Sequence, residues 1–200
     1  MIVIVDYGMG NLRSVQKAFE RCGSRAVVSG NPREILKADK VVLPGVGAFA
    51  HAVEELRRRK LIEPIREQIA RGRPYLGICL GMQLLFDDSL EGSRTRGFGI
   101  VGGTVTKFKG SVKIPQIGWN QVRLEARRCP LFKGVSSDSF FYFVHSYYGD
   151  CIDSSWVSAV TDYGGYFCSA LWRANVFATQ FHPEKSQKTG LKLIRNFIKF

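Results

Sequence analysis

The stretch Tyr75–Phe86, YLGICLGMQLLF, limits what this chain can fold into more than any other. An apolar strand signal runs into Cys79, which has Gly77 and Gly81 two places to either side, and a helix signal continues from Leu80 through Phe86. G-x-C-x-G has the shape of the G-x-S-x-G elbow, in which a nucleophile stands on a tight strand-to-helix turn. The flanking positions must be small, because a Cβ there would clash with the bent backbone. Such a turn exposes the sulfur at a helix N-terminus, where unpaired N–H groups and the helix dipole favour a thiolate. The other reading is a buried cysteine packing as a small hydrophobe between two glycines. A base elsewhere in the chain has to decide between them.

Around this elbow the first half of the chain alternates strand and helix signals. Ile2–Asp6 reads as a buried strand. Leu12, Val15, Phe19 and Cys22 recur at helical spacing until Gly23 stops them. Ala26–Val28 and Val41–Leu43 are further strands. Phe49, Ala52, Val53 and Leu56 mark one helix, and Ile62, Ile65 and Ile69 the next. This order predicts a largely parallel sheet with helices on both faces. From Gly97 onward, GIVGGTVTKF, IGWNQVRLE, FFYFVHSYY, WVSAVTDYG and YFCSALWRANVFATQFH are aromatic and β-branched, with turn residues between them. They read as antiparallel hairpins added to that sheet. Leu191, Ile194, Phe197 and Ile198 lie on a closing amphipathic helix. With no repeats or linkers, residues 1–200 form one α/β domain in this reading.

Composition removes several classes. Hydrophobic residues at 45% and charged ones at 23% are ordinary for a globular protein. No apolar run approaches the roughly 18 residues of a membrane span, and no basic segment precedes Ile2–Val5 as in a secretory signal. Five widely spaced cysteines, Cys22, Cys79, Cys129, Cys151 and Cys168, include no C-x-x-C pair. Free thiols in a reducing cytoplasm are expected. The formal charge of +12 is unusual. Its clusters, Arg57–Lys60, Arg127–Arg128 and the Lys185–Lys199 segment, are scattered and accompany no nucleic-acid motif, so solvated faces or an acidic partner are preferred to nucleic acid.

The base must be one of three histidines. His51 lies beside the apolar stripe of a helix, structural or exposed. His145, in FFYFVHSYY, lines a pocket or packs among aromatics. His182 differs: FATQFHPEK sets it at the end of an apolar strand, on the sheet edge where open α/β folds keep their sites. Glu184 follows at i+2, on the same side of an extended chain, and Pro183 fixes the backbone between them. Glu184 then holds the imidazole's tautomer, and Cys79, His182 and Glu184 form a triad. For the oxyanion, the N–H of Leu80 and, from PGVGAF after another strand, that of Val46 or Gly47 are the donors expected. DYGMGN, Asp6–Asn11, fails as a dinucleotide fingerprint because position 13 is arginine. No phosphate loop or cofactor motif appears, and neither a metal nor a cofactor is expected.

Taken together, DYGMGN, LPGVGAF, GICLGMQLLF, IGWNQV, YFVHSY and FHPEKS resemble the triad-type glutamine amidotransferases, and among them the glutaminase subunits of imidazole glycerol phosphate synthase. The resemblance runs from residue 2 to the C-terminus with the motifs in order. It implies a flavodoxin-like fold of the glutamine amidotransferase type, and attack of Cys79 on glutamine's carboxamide, with His182 moving the proton and Glu184 orienting it. It implies a glutamine pocket at Gly47, Gln83, Ser146 and Tyr147, and a (β/α)8-barrel cyclase partner that receives the ammonia and meets the chain near Asn11 and Lys185. Such a partner makes imidazole glycerol phosphate and an aminoimidazole carboxamide ribotide in histidine synthesis. One departure stands out: Gln116 precedes IGWN where the family usually has histidine. The rivals are an amidotransferase of another pathway (anthranilate or purine synthesis), a non-catalytic subunit of the same fold, and a cysteine peptidase.

Overall fold

The computed structural model describes residues 1–125 and 129–200; the expected basic pair Arg127–Arg128 lies outside the described residues. Its first half follows the alternation: β1 (Ile2–Val5), α1 (Leu12–Arg21), β2 (Ala26–Ser29), α2 (Pro32–Lys37), β3 (Lys40–Gly45), α3 (Phe49–Arg58), α4 (Ile62–Ala70), β4 (Tyr75–Cys79) and α5 (Leu80–Gln83). The short helix α2 was not foreseen; Asn31 caps it by accepting from Arg33 N–H, and Pro32 occupies its first turn. Strands β5 (Phe86–Ser89), β6 (Thr95–Arg96), β7 (Val101–Lys107), β8 (Gln116–Leu124), β9 (Ser139–His145), β10 (Tyr147–Cys151), β11 (Val157–Asp162), β12 (Tyr166–Arg173) and β13 (Val176–Thr179) follow, and α6 (Gln187–Lys199) closes the chain.

Nine strands form one sheet in the order β2-β1-β3-β4-β13-β12-β11-β8-β9. The first five pair in parallel and the remainder antiparallel. The parallel half thus has the 2-1-3-4-5 winding of flavodoxin-like folds, whose sites lie beyond the carboxyl ends of the strands. Burial explains why β1 reads as a continuous apolar run. Val3 and Val5 pack into one core layer with Leu43, Phe49 and Leu56, while Ile2 and Ile4 enter the opposite layer with Phe19, Phe177 and Phe197. Side chains alternate across a strand, so a strand covered on both faces must be apolar at every position. Phe197 of α6 meets Phe19 of α1 and Phe177 of β13 edge-on at 6.3 and 6.0 Å. Each such fully buried ring contributes roughly 1.5–3 kcal/mol over leaving it in water.

Two expectations need correction. The helix after Cys79 was expected to reach Phe86, but α5 ends at Gln83 and Phe86 begins a strand. The hairpins were expected to extend the main sheet, yet β10, β7, β5 and β6 form a separate four-stranded sheet. Phe86 pairs with Val101 there. That tertiary pairing captures MQLLF after a single turn of helix.

Candidate active site

The elbow has the geometry its spacing predicts. Cys79 ends β4 and sits at φ 54°, ψ −108°, a conformation rare for any residue with a side chain. Backbone strain of this kind costs on the order of 1–3 kcal/mol and persists where surrounding structure enforces it. Both glycines are required by contact. A Cβ on Gly77 would stand 2.5 Å from the Gly81 carbonyl oxygen, and one on Gly81 would stand 1.8 Å from that of Leu43. The Tyr75 hydroxyl donates to the Gly81 carbonyl at 2.8 Å and ties the start of β4 to the turn it leads into. Because α5 is four residues long, the expected dipole assistance shrinks to that of the few local N–H groups.

Strand β13 runs parallel beside β4, which brings His182 to the same sheet edge. Its Nδ1 lies 2.7 Å from Glu184 Oε1, and the two side chains are 3% and 2% exposed. The route to this contact differs from the expected one: Pro183–Lys185 form a 3-10 turn, not an extended segment, and the carboxylate curls back onto the ring. His182 Nε2 is buried without a conventional hydrogen bond among the described residues. Burial disfavours the charged imidazolium, but electrostatic interaction with Cys79, then the hydrogen bond and charge of Glu184, outweigh it and raise His182 to about 10. An imidazole that holds its proton this firmly can act first as an acid.

Beside these groups lies a cavity of about 390 Å³ whose walls include Cys79, Val46, Gly47, Leu80, Gln83, Ser146 and Tyr147. Every residue expected for the oxyanion or for glutamine therefore borders one space. Gly47 adopts φ 95°, which frees its loop to bend toward that space without a Cβ penalty. Asn11 and Lys185 lie away from the cavity walls: Asn11 is exposed at the start of α1, its side chain accepting from Ser14 N–H, and exposed Lys185 rests its ammonium 5.7 Å from the Tyr142 ring centre.

Three further groups were not placed at the site from the sequence. Glu91 borders the cavity and accepts from Phe49 N–H at 2.8 Å, pinning the end of the Val46–Ala48 loop. It stands in a polar turn whose spacing gives no sign of this. His145 does both things its motif allowed, lining the cavity and packing against Phe108, Phe143 and Phe167. Burial pushes it down to about 4, so its ring is neutral at pH 7. Gln180, fully buried, donates from Nε2 to Cys79 Sγ at 3.5 Å; its place two residues before His182 was the only available clue. His51 is exposed on α3 and takes no part.

Geometrically this is a thiol on a sharp elbow, an imidazole bonded to a carboxylate, and a pocket of about 390 Å³, an arrangement that suits acyl transfer from an amide. Over residues 3–200 the chain matches the family described as glutamine amidotransferase class-I. It is 51% identical to the imidazole glycerol phosphate synthase subunit HisH of Syntrophotalea carbinolica, over 98% of each chain. To the protein of the same name from Rhodopirellula baltica it is 50% identical, over 98% of this chain and 96% of that one. PurLQS from Thermotoga maritima superposes with a TM-score of 0.78 at 18% identity, over 99% of this chain and 97% of that one, a likeness of fold alone. The chain belongs to the class-I glutamine amidotransferases and, at this identity over nearly its full length, to the HisH subunits among them.

Proposed function

We propose that this chain is a glutaminase subunit that hydrolyses glutamine through a Cys79 thioester and passes the ammonia to a (β/α)8-barrel cyclase for histidine synthesis in the cytoplasm. The observation that carries the chemistry is the union of a positive-φ cysteine elbow with a buried His182 bound through Nδ1 to Glu184. The Cys79 thiolate attacks the carboxamide carbon, and the carbonyl oxygen takes the electron pair. The N–H groups of Leu80 and of Val46 or Gly47 receive that oxyanion. His182 Nε2–H protonates the leaving nitrogen and ammonia departs. Acylation removes the sulfur's charge, which is a chief cause of the high affinity of His182 for its proton. The ring, left neutral once its proton has gone to ammonia, takes a proton from water as that water attacks the thioester. Glutamate leaves and the thiolate–imidazolium pair returns. In the pocket, Gln83, Ser146, Tyr147 and the carboxylate of Glu91 bind the amino-acid end of glutamine, with Glu91 suited to its ammonium.

A docking surface supports the partner. Ile117, Trp119 and Phe140 are 62%, 46% and 55% exposed on adjacent strands β8 and β9, and Trp119 meets Tyr142 edge-on beneath Lys185. An exposed apolar stripe with a charged rim marks an interaction site. The cyclase covers this stripe, with Asn11 and Lys185 at the margin, and presents an acidic face to a chain of charge +12. Ammonia and the thioester are thereby shielded from bulk water. The test is glutamate release by the chain alone, with cyclase, and with cyclase plus its nucleotide ligand. Slow release alone and much faster release in the complexes are expected, and Lys185→Glu weakens docking while Cys79 stays reactive. Equal rates in all three mixtures overturn the partner's control. Undiminished release by Cys79→Ala overturns the chemistry.

A further inference from the structure

We infer that Gln180 is a fourth member of the nucleophile's machinery: its amide, oriented by a one-way hydrogen-bond chain that starts at the Tyr147 carbonyl, holds an N–H on Cys79 Sγ and favours the thiolate. This rests on Cys79 being the nucleophile. A glutamine amide has a donor end and an acceptor end of nearly equal shape, so its partners decide which way it faces. Here a backbone group decides. The Tyr147 carbonyl can only accept, and Gln83 Nε2 lies 2.8 Å from it. The same NH2 group lies 3.0 Å from Gln180 Oε1. Both hydrogens of Gln83 are then used, Gln180 must offer its oxygen to Gln83, and its own NH2 is left for the sulfur at 3.5 Å. Turning Gln180 over would set two NH2 groups against each other and a carbonyl oxygen against the sulfur, among side chains that are all buried.

The far side of the carbonyl reinforces this polarity. His145 Nδ1 lies 2.8 Å from the same oxygen, so the ring's proton is on Nδ1 and Nε2 is bare. The Gln116 amide, whose Oε1 stands 2.9 Å from Nε2, must then turn its NH2 to the ring. Gln116 thus fills a donor's place from the position where histidine was expected. Two consequences follow. The only group Gln83 has free for the cavity is its oxygen, an acceptor matched to an ammonium and not to a carboxylate. The sulfur receives a donor that, unlike His182, never exchanges its proton during turnover. An N–H bond to a charged acceptor favours the charged form by about tenfold, close to one pH unit.

The experiment is the pH profile of Cys79 alkylation by iodoacetamide in the full chain, read by peptide mass spectrometry so that Cys22, Cys129, Cys151 and Cys168 do not interfere. Gln180→Met keeps the volume and removes the donor. The midpoint of Cys79 reactivity is expected to rise by about one pH unit, with labelling at pH 7 falling about tenfold. In the wild type, where folding of a variant is not at issue, the Gln180 side-chain N–H resonance is expected to move as Cys79 ionises. A Gln180→Met midpoint equal to that of the wild type, or a resonance indifferent to Cys79 ionisation, overturns the proposal. If wild-type Cys79 resists alkylation across the whole range, the nucleophile assignment itself fails, which is a separate result.

Discussion

Two buried histidines of opposite character organise the site. His182 is raised to about 10 by Cys79 and Glu184 against the effect of burial, and His145 is lowered to about 4 by burial. Their roles in turnover are unequal, and so are those of His182 and Glu184. His182→Asn removes the proton carrier and is expected to reduce glutamine turnover to near background. Glu184→Gln removes only the orienting charge and leaves measurable activity, since triad members act as a unit without equal shares; steady-state glutamate release separates the two, and wild-type rates in His182→Asn would end the triad. The histidines also shape stability. Between pH 6.5 and 4 the unfolded chain binds a proton at His145 that the folded chain refuses. The contribution of a neutral His145 is therefore present above pH 6.5 and is lost as pH falls, on the order of 3 kcal/mol in all. His182 works in the other direction: its contribution is full below pH 6.5 and is lost as pH rises toward 10. Urea unfolding across this range should show His145→Asn losing the acid-side slope and keeping the alkaline one; an unchanged acid limb would refute a buried neutral ring.

Among the elements, the β4–α5 elbow shows how far spacing alone reaches. G-x-C-x-G is legible because sharp backbone and small neighbours are a local requirement, and a Cβ on Gly81 would lie 1.8 Å from the Leu43 carbonyl of β3. Gly81 is also helical, where propensity by itself predicts that alanine stabilises by up to about 1 kcal/mol. Overpacking predicts the opposite sign, so Gly81→Ala should destabilise by about 3 kcal/mol in denaturant unfolding. The control is Gly92→Ala, at φ 70° with open space around it, which should cost only about 1–2 kcal/mol of backbone strain. Stabilisation by Gly81→Ala would contradict the packing described. The end of α5 was not legible, because a short apolar run such as MQLLF has no period that separates helix from strand. Phe86 becomes strand through its pairing with Val101, which no local window contains. For the same reason β7 and β10 could be recognised as strands without showing that they leave the main sheet for a second one.

Across the whole molecule, the parallel half of the sheet was legible from its strand–helix alternation, and it does what such sheets do: it carries the elbow and the histidine turn to one edge. Cys79, His182 and Glu184 were readable because each sits in a motif that a chemical role explains. Glu91 and Gln180 were not, because they reach the site through contacts 42 and 101 residues away in sequence. The net charge of +12 excluded little by itself; it gains meaning beside the exposed Ile117, Trp119 and Phe140 stripe, where an acidic partner would seat. All of this converges on one covalent event at one sulfur. Acid-quenching the chain with its cyclase during glutamine turnover, then mapping peptides by mass spectrometry, reads that event directly. A γ-glutamyl thioester on Cys79, present in the wild type and missing from Cys79→Ala, is the predicted result; glutamate released at full rate with no adduct on Cys79, or with the adduct on another cysteine, would contradict it.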